Sequence, residues 1–276
     1  MNKKLNLDFI FAVMILAIII LTGIFAPLLA PYNPFQPDMF NRLQTPNYSH
    51  WFGTDALGRD MFSRILYGSR YSILLSLVST IVSLVIGTIA GVLAGFYGKK
   101  IDSIITLLSN IFQSIPGSCF MIAIAGMFGP SITTLVIALV ITSWAGFSRI
   151  TRAEVLKIKG EPFMEGLICI GCKDKMLIFG HILPNIFDSI IVLASLRMGR
   201  GVLAIAGLSF LGLGVQPPIP DWSVMVNDAI IYYRSYPHLL VVPGMCIFAL
   251  VYSINTIGGY LKNNIEAAAN EDREWD

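Results

Sequence analysis

Charge is scarce in this sequence. Only 13% of its 276 residues are Asp, Glu, Lys or Arg, whereas an ordinary soluble domain has about 25%. Apolar residues make up 55% of the chain, and the mean hydropathy is +0.71. These proportions exclude an ordinary soluble enzyme and are typical of a protein embedded in a membrane. The formal net charge of +2 gives no reason to expect a nucleic-acid partner.

Residues for catalysis or cofactor binding are also scarce. The four cysteines are scattered through apolar sequence and do not make a disulfide framework. Cys169 and Cys172 have a C-x-x-C spacing, but a zinc site needs four ligands and the others are not visible. A phosphate-binding loop needs Ser or Thr after its Gly-Lys pair, and here Lys100 follows Gly98-Lys99. We expect no catalytic residue, no metal site and no cofactor in this chain.

Long apolar runs are abundant. A helix needs about 20 predominantly apolar residues to cross a membrane. Six stretches meet this requirement with few or no ionisable residues: residues 9–30, 72–96, 103–128, 131–148, 183–206 and 238–261. The first is longer than the roughly 7 to 15 residues of a signal-peptide core. The sequence therefore predicts an all-α, polytopic membrane protein with six transmembrane helices.

The distribution of Lys and Arg predicts the orientation of these helices. Six spans place both chain ends on one side, and the side with more Lys and Arg is cytoplasmic. With the N-terminus inside, twelve of the 19 basic residues face the cytoplasm: Lys3, Lys4, Lys99, Lys100, Arg149, Arg152, Lys157, Lys159, Lys173, Lys175, Lys262 and Arg273. Five face outward: Arg42, Arg59, Arg64, Arg70 and Arg234. The remaining two lie within the fifth span. We expect both termini to be cytoplasmic (N-in, C-in).

The spans and their connections divide the chain into three parts. We expect residues 1–70 to form the first transmembrane helix and an external segment. Residues 71–265 should form a five-helix core that carries a short cytoplasmic helix at about 161–175. Residues 266–276 should form a cytoplasmic tail.

The predicted cytoplasmic connection begins like a helix. It starts with Glu161-Pro162-Phe163-Met164-Glu165, and acidic residues and proline are favoured in the first turn. The segment is apolar on one side and charged at its end. Such a helix could dock into a groove of a partner protein, or it could rest on lipid headgroups. Periodicity alone does not decide between the two.

This segment resembles the cytoplasmic signature of the permease subunits of ABC importers. The signature reads Glu-Ala-Ala, three residues, Gly, nine residues and Ile-x-Leu-Pro. Glu165, Gly171 and the pair Leu183-Pro184 keep its register. The chain departs from it where Gly166-Leu167 replaces the two alanines and His181 replaces the isoleucine.

Two predicted external stretches resemble one branch of that family, the dipeptide, oligopeptide and nickel permeases. Residues 50–60 read His-Trp-Phe-Gly-Thr-Asp-Ala-Leu-Gly-Arg-Asp and contain the branch's G-T-D-x-x-G-R-D signature. Residues 208–218 read Leu-Ser-Phe-Leu-Gly-Leu-Gly-Val-Gln-Pro-Pro, and Asp221-Trp222 follows them. This stretch resembles the branch's signature after the fifth span. The similarity covers nearly the whole chain in collinear order.

The resemblance implies a type I ABC importer permease in the cell membrane of a bacterium or archaeon. The implied partners are membrane lipid, a homologous second permease, an extracytoplasmic solute-binding protein and two ABC ATPase subunits that bind ATP and Mg²⁺. Motion of the ATPases would reach the membrane through the cytoplasmic helix. The implied ATPase-coupling residues are Glu165, Gly166, Gly171, Lys173 and Asp174.

The external segments would receive the solute-binding protein. The implied contact residues are Asp55, Arg59, Asp60, Asp221 and Trp222. The first three could as well cap helices or pair with one another.

Ionisable residues in the fifth span are candidates for a translocation path. A charge at the centre of a membrane helix costs about 2.5 to 3.5 kcal/mol and usually faces a partner or water. Arg197 and Arg200 share one helical face, and Asp188 lies about 13 Å from Arg197 along the helix. The arginines could line the path and favour cargo with carboxylates, or they could pair with acids of the sister permease. Asn110 and Gln113 are further path candidates, although polar residues there could simply join helices.

Cargo and mechanism stay partly open at this point. The branch transports dipeptides, oligopeptides, nickel and metal chelates, and the altered Glu-Gly-Leu signature and paired arginines slightly favour nickel or a metal chelate. The alternative function is a secondary transporter or channel without ATP coupling. It predicts inverted repeats and broken helices, and neither is visible in the sequence. An intramembrane enzyme would need a catalytic constellation, for which only Asp188 is available.

Overall fold

The structure, a computed structural model, describes residues 7–273. An isolated bridge between Thr54 and Asp60 is the only β-structure in this range. The helices are α1 (Leu7–Ile24), α2 (Ala26–Leu29), α3 (Met61–Tyr97), α4 (Lys99–Ser114), α5 (Gly117–Phe128), α6 (Ile132–Lys159), α7 (Pro162–Cys169), α8 (Asp174–Met176), α9 (Leu183–Phe210), α10 (Trp222–Ala229) and α11 (His238–Arg273). A 3-10 turn lies at Met39–Asn41, and a π-helical segment at Leu177–Ile182 joins α8 to α9. The prediction of an all-α fold is confirmed.

Five helical units in the described chain are long and apolar enough to cross a membrane: α1, α3, α6, the continuous segment from Asp174 to Phe210, and the part of α11 from His238 to Ile265. Only 17% to 39% of the residues in their most apolar stretches are buried within the chain. Exposed apolar residues on this scale need a cover other than water. Lipid and other membrane subunits can supply it.

The sixth apolar unit, α4 with α5, is bent by 86°. The bend falls at Ile115-Pro116. Proline has no N–H for a helical hydrogen bond, and it disfavours helical backbone at the residue before it. Ile115 accordingly has φ −96° and ψ 132°. The apolar stretch predicted at 103–128 therefore forms two helices with a sharp bend between them. The count of six spans holds if this bent pair is one span.

Helix α3 is the longest apolar helix in the core and packs along α6. Its 37 residues correspond to a length of about 55 Å. Gly87, Gly91 and Gly95 lie on the side that faces α6, where a Cβ atom would stand 2.4 to 2.8 Å from atoms of α6. Small residues at a spacing of four allow two helix backbones to approach closely. The pair α3–α6 therefore forms the centre of the fold.

The two ends of α3 carry different structures. Its first turns pack with α10 and α11 in one apolar cluster that also includes Ile19 of α1. Its last turns pack with α6, α7 and α9 in another. The predicted external and cytoplasmic segments thus lie at opposite ends of one helix. The N-in, C-in orientation itself remains a prediction.

The predicted division between residues 70 and 71 falls inside α3. The organisation of the chain into three parts remains a prediction. Helix α1 packs on α11, where the rings of Phe9 and Tyr260 stack at 4.1 Å. Helix α11 continues to Arg273, so most of the predicted tail at 266–276 is helical. Lys3, Lys4 and residues 274–276 lie outside the described residues.

Candidate functional site

The predicted cytoplasmic helix is present as α7. Pro162 occupies its first turn, after Glu161 with extended backbone. Met164 is fully buried, and Leu167, one turn further on, is partly buried. Both pack into the cluster that joins three core helices: Val92, Phe96, Val155, Leu177, Ile182, Ile186 and Ile190. One face of α7 is therefore buried in a cluster to which α3, α6 and α9 also contribute side chains.

The rest of α7 and the turn that follows it are exposed. Apolar side chains lie here, with Phe163 48%, Ile168 46% and Ile170 80% exposed. An exposed apolar surface with charges beside it is typical of a protein contact. All five predicted coupling residues are exposed on this segment: Glu165, Gly166, Gly171, Lys173 and Asp174. Their contact with an ATPase stays a prediction.

Gly171 ends α7 in a left-handed conformation, with φ +78°. Its N–H donates to the carbonyl of Ile168 at 3.0 Å, and the N–H of Cys172 donates to that of Leu167 at 3.0 Å. This pair of hydrogen bonds is the Schellman arrangement, which favours glycine because a Cβ atom is strained there. A Cβ atom at this position would meet no other part of the described chain within 4 Å. Its role inside the chain is to terminate the helix.

Charged side chains brace the helix ends near α7. Arg152 of α6 holds both carboxylate oxygens of Asp102 of α4. Lys159, at the end of α6, donates to the carbonyl of Phe96 at 2.7 Å, near the end of α3. Asn110, a predicted path residue, instead accepts a hydrogen bond from Arg149 at 3.1 Å, within an α4–α6 contact. Sequence reasoning missed these pairs because the partners lie far apart in the chain.

The predicted external contact residues near the start of α3 are buried. Asp55, Arg59 and Asp60 are 8%, 4% and 2% exposed. Asp60 caps α3, where its Oδ2 accepts from the N–H and hydroxyl of Ser63, and its Oδ1 lies 2.9 Å from Nδ1 of His50. Asp55 accepts from the backbone N–H of Arg59 and pairs with its Nε at 2.6 Å. Asp60 thus caps a helix, and Asp55 pairs with Arg59. The contact of these residues with a binding protein stays a prediction.

Asp221 and Trp222 fasten α10 to α3. Asp221 is fully buried and accepts hydrogen bonds from the hydroxyl of Ser72 at 2.7 Å and from the N–H of Ser223 at 3.0 Å. Trp222 is buried beside it and donates Nε1–H to the carbonyl of Ile65 at 2.9 Å. Burial raises the pKa of Asp221, and the hydrogen bonds oppose that shift.

A cavity of about 460 Å³ opens between the external segment and α10. Its charged side includes Arg59, Arg64 and Asp228. Arg64 is almost fully buried, and its terminal nitrogen lies 3.4 Å from Oδ2 of Asp55. Burial raises the pKa of Asp228, and the two arginines oppose that shift. Sequence reasoning did not single out Arg64 or Asp228 as site residues, because only the fold brings α10 to the start of α3.

Arg197 lies in the middle of α9 and is partly buried. Its guanidinium carbon is 5.0 Å from the centroid of the Phe147 ring on α6. The four other predicted path residues are exposed on the chain surface: Asn110, Gln113, Asp188 and Arg200. The structure therefore does not bring the five path candidates together within this chain. Their role in a path stays a prediction. No group of three His, Cys, Asp or Glu side chains that could hold a metal forms between residues 7 and 273.

Solved structures place this architecture in a known class. The chain is similar to the MetNI methionine ABC transporter in an inward-facing conformation, with a TM-score of 0.55 and 15% identity over 73% of this chain and 97% of that one. It is also similar to an amino acid ABC transporter with histidines, with a TM-score of 0.55 and 16% identity over 70% and 90%. The fold is that of an ABC importer permease.

The sequence comparison identifies the family. Residues 87–267 match the binding-protein-dependent transport system inner membrane component family, and the chain belongs to it. The dipeptide transport system permease protein DppC of Alkalihalophilus pseudofirmus is 38% identical over 95% of this chain and 86% of its own length. The glutathione transport system permease protein GsiD of Escherichia coli O6:K15:H31 is 36% identical over 92% and 84%. The resemblance inferred from the three motifs is confirmed.

Proposed function

We propose that this chain is one of two membrane permeases of an ATP-driven importer for small peptide-like molecules in a bacterial plasma membrane. A homologous permease would complete the path, and two cytoplasmic ATPases would bind ATP and Mg²⁺. An external solute-binding protein would deliver the cargo. The observation that carries the proposal is the position of α7. One face of this helix is buried through the side chain of Met164, and the other face is exposed.

The seating of α7 suits the transmission of force. ATP can shift a two-state permease only through its different affinity for the two states. The link from ATPase to membrane helices must therefore be stiff. Met164 contacts a cluster that contains side chains of α3, α6 and α9, so a displacement of α7 would move three core helices together.

Peptide-type cargo is favoured over nickel. The relatives described above are named for dipeptide and glutathione transport, and neither name refers to a metal. Dipeptides and glutathione share free carboxylates and a peptide bond. We therefore propose a short peptide or a glutathione-like molecule as cargo.

Cross-linking tests the two proposed partner contacts at once. In a chain whose four cysteines are replaced by serine, Ile170→Cys should cross-link to an ATPase subunit in the assembled importer. Tyr48→Cys, at a fully exposed side chain of the predicted external segment, is the matched control and should cross-link to the binding protein instead. Exchange of the two patterns would overturn the orientation. Absence of any link from Ile170→Cys to an ATPase, or uptake of labelled dipeptide by the lone purified chain, would overturn the proposal.

Met164 tests the coupling itself. Replacing it with alanine should leave a cavity under α7 and loosen its seat, because Met→Ala in a core removes about 2–5 kcal/mol of packing. We expect an assembled importer whose ATP hydrolysis continues while dipeptide uptake per ATP falls. Met164→Leu nearly conserves volume and should retain the coupling ratio. An unchanged ratio in Met164→Ala would contradict the force-transmission argument.

A further inference from the structure

The side chain of Arg197 occupies a niche that α6 provides. Arg197 lies about 20 Å from either end of α9, well inside a helical segment that is long and apolar enough to cross a membrane. Its guanidinium stacks over Phe147 and lies beside Gly146. A Cβ atom at Gly146 would stand 2.2 Å and 2.4 Å from the two terminal guanidinium nitrogens. Only glycine at this position leaves room for the arginine.

The niche borders a small cavity that both polar and apolar side chains line. Its volume is about 20 Å³, and hydroxyl groups of α3 and α6 line it together with Arg197, among them Thr80, Ser83 and Ser143. The Nε atom of Arg197 is shielded from solvent and makes no hydrogen bond within the described residues. The guanidinium is therefore positioned by shape and by the aromatic ring, and its charge is not neutralised there.

The described chain supplies no carboxylate to Arg197. None of its ion pairs between residues 7 and 273 includes this side chain. The nearest acid along α9 is Asp188, about 13 Å away. Arg200, one turn further on, shares the same face and adds positive charge. A positive charge at this depth is costly without a partner, so the side chain is poised to accept an anion.

We propose that Arg197 binds a carboxylate of the cargo as it crosses the membrane. This inference rests on the proposed function and gives its site a ligand class, a small molecule with a free carboxylate. The guanidinium offers a planar fork of N–H donors that matches a carboxylate. It lies against its own α6 rather than on the outer surface, whereas Arg200 is exposed. We take cargo as the ligand, and pairing with an acidic side chain of the sister permease is one outcome of the test.

Two kinds of variant separate the ligand from the fold. Arg197→Gln removes the charge, and Arg197→Lys keeps the charge but loses the fork. Gly146→Ala moves the guanidinium out of its niche. The fold should tolerate this substitution, because the new Cβ atom meets only the end of a flexible side chain and alanine is the better helix former. The matched control is the same substitution in another apolar helix, Gly244→Ala in α11, where a Cβ atom meets nothing within 4 Å.

The assay is ATP-driven uptake by the complete importer in proteoliposomes. A labelled dipeptide and its C-terminal amide are each supplied already bound to a saturating concentration of the binding protein. Differences in the affinity of that protein for the two ligands then do not affect the comparison of uptake rates. We expect the preference for carboxylate over amide to fall about tenfold or more in Arg197→Gln, as for a lost charge-assisted pair. Gly146→Ala should lower it by a smaller factor, Arg197→Lys should restore part of it, and Gly244→Ala should leave it unchanged.

Three outcomes would count against the proposal in different ways. An unchanged preference in Arg197→Gln and Gly146→Ala would overturn the carboxylate role. Loss of the sister permease from the purified Arg197→Gln complex, with retention in Arg197→Lys, would show that the arginine pairs with an acid of that subunit. If the wild-type importer takes up neither form of the dipeptide on addition of ATP, the proposed function itself fails.

Discussion

Replacing Gly91 with alanine should force α3 and α6 apart. A Cβ atom there would stand 2.6 Å from the carbonyl oxygen of Ser148 and from Cβ of Thr151. Ordinary contact begins near 3.4 Å, so the helices would have to separate by about 0.8 Å. The Ser148 oxygen belongs to the backbone, and a rotamer change cannot move it. The whole α3–α6 contact must therefore adjust.

The expected cost follows from two opposing effects. Overpacking of a core costs about 1–3 kcal/mol, and alanine recovers about 0.5–1 kcal/mol of helix propensity. The midpoints of these two ranges leave a net loss of about 1 kcal/mol. For a chain of this size it corresponds to a decrease in Tm of about 2–4 °C.

Thermal unfolding of the detergent-solubilised importer measures this loss. Gly244→Ala, which meets open space, is the control and should unfold no earlier than the wild type. Equal Tm values for Gly91→Ala and Gly244→Ala would refute the argument that close backbone approach holds α3 against α6.

Two further substitutions test the ends of the helices. Asp221→Ala should leave the hydroxyl of Ser72 and a buried N–H without an acceptor, which should lower the free energy of unfolding by about 2–3 kcal/mol. Asp221→Asn should lower it less, because the amide keeps one acceptor oxygen and burial already disfavours the charge. Thermal unfolding of the importer decides between these values, and equal losses would contradict the capping role. Gly171→Ala should cost about 1–2 kcal/mol through its positive φ, and Gly171→Asn should cost less. Hydrogen exchange at the end of α7 measures the fraying, and equal protection in both variants would refute the strain argument.

The motifs predicted the family and the helical class because they were long, collinear and separated by apolar runs. The break at Ile115-Pro116 was readable from the proline, but the hydropathy of residues 103–128 concealed it. Charged residues in the external segment looked like surface contacts because carboxylates and guanidinium groups are rarely buried. The structure pairs Asp55 with Arg59, which agrees with the alternative that these side chains pair with one another, but the sequence did not predict their burial.

Polar contacts hold both ends of α3 to neighbouring parts of the chain. At one end of α3, Asp60 caps the helix and Asp221 binds Ser72. At the other end, Lys159 binds the carbonyl of Phe96, and α7 is seated on the last turns through Met164. Polar contacts within a buried setting resist sliding because each broken bond leaves a desolvated group. If α7 couples to an ATPase as proposed, a displacement of α7 would therefore act on the last turns of α3, which Lys159 and the cluster around Met164 hold to their neighbours.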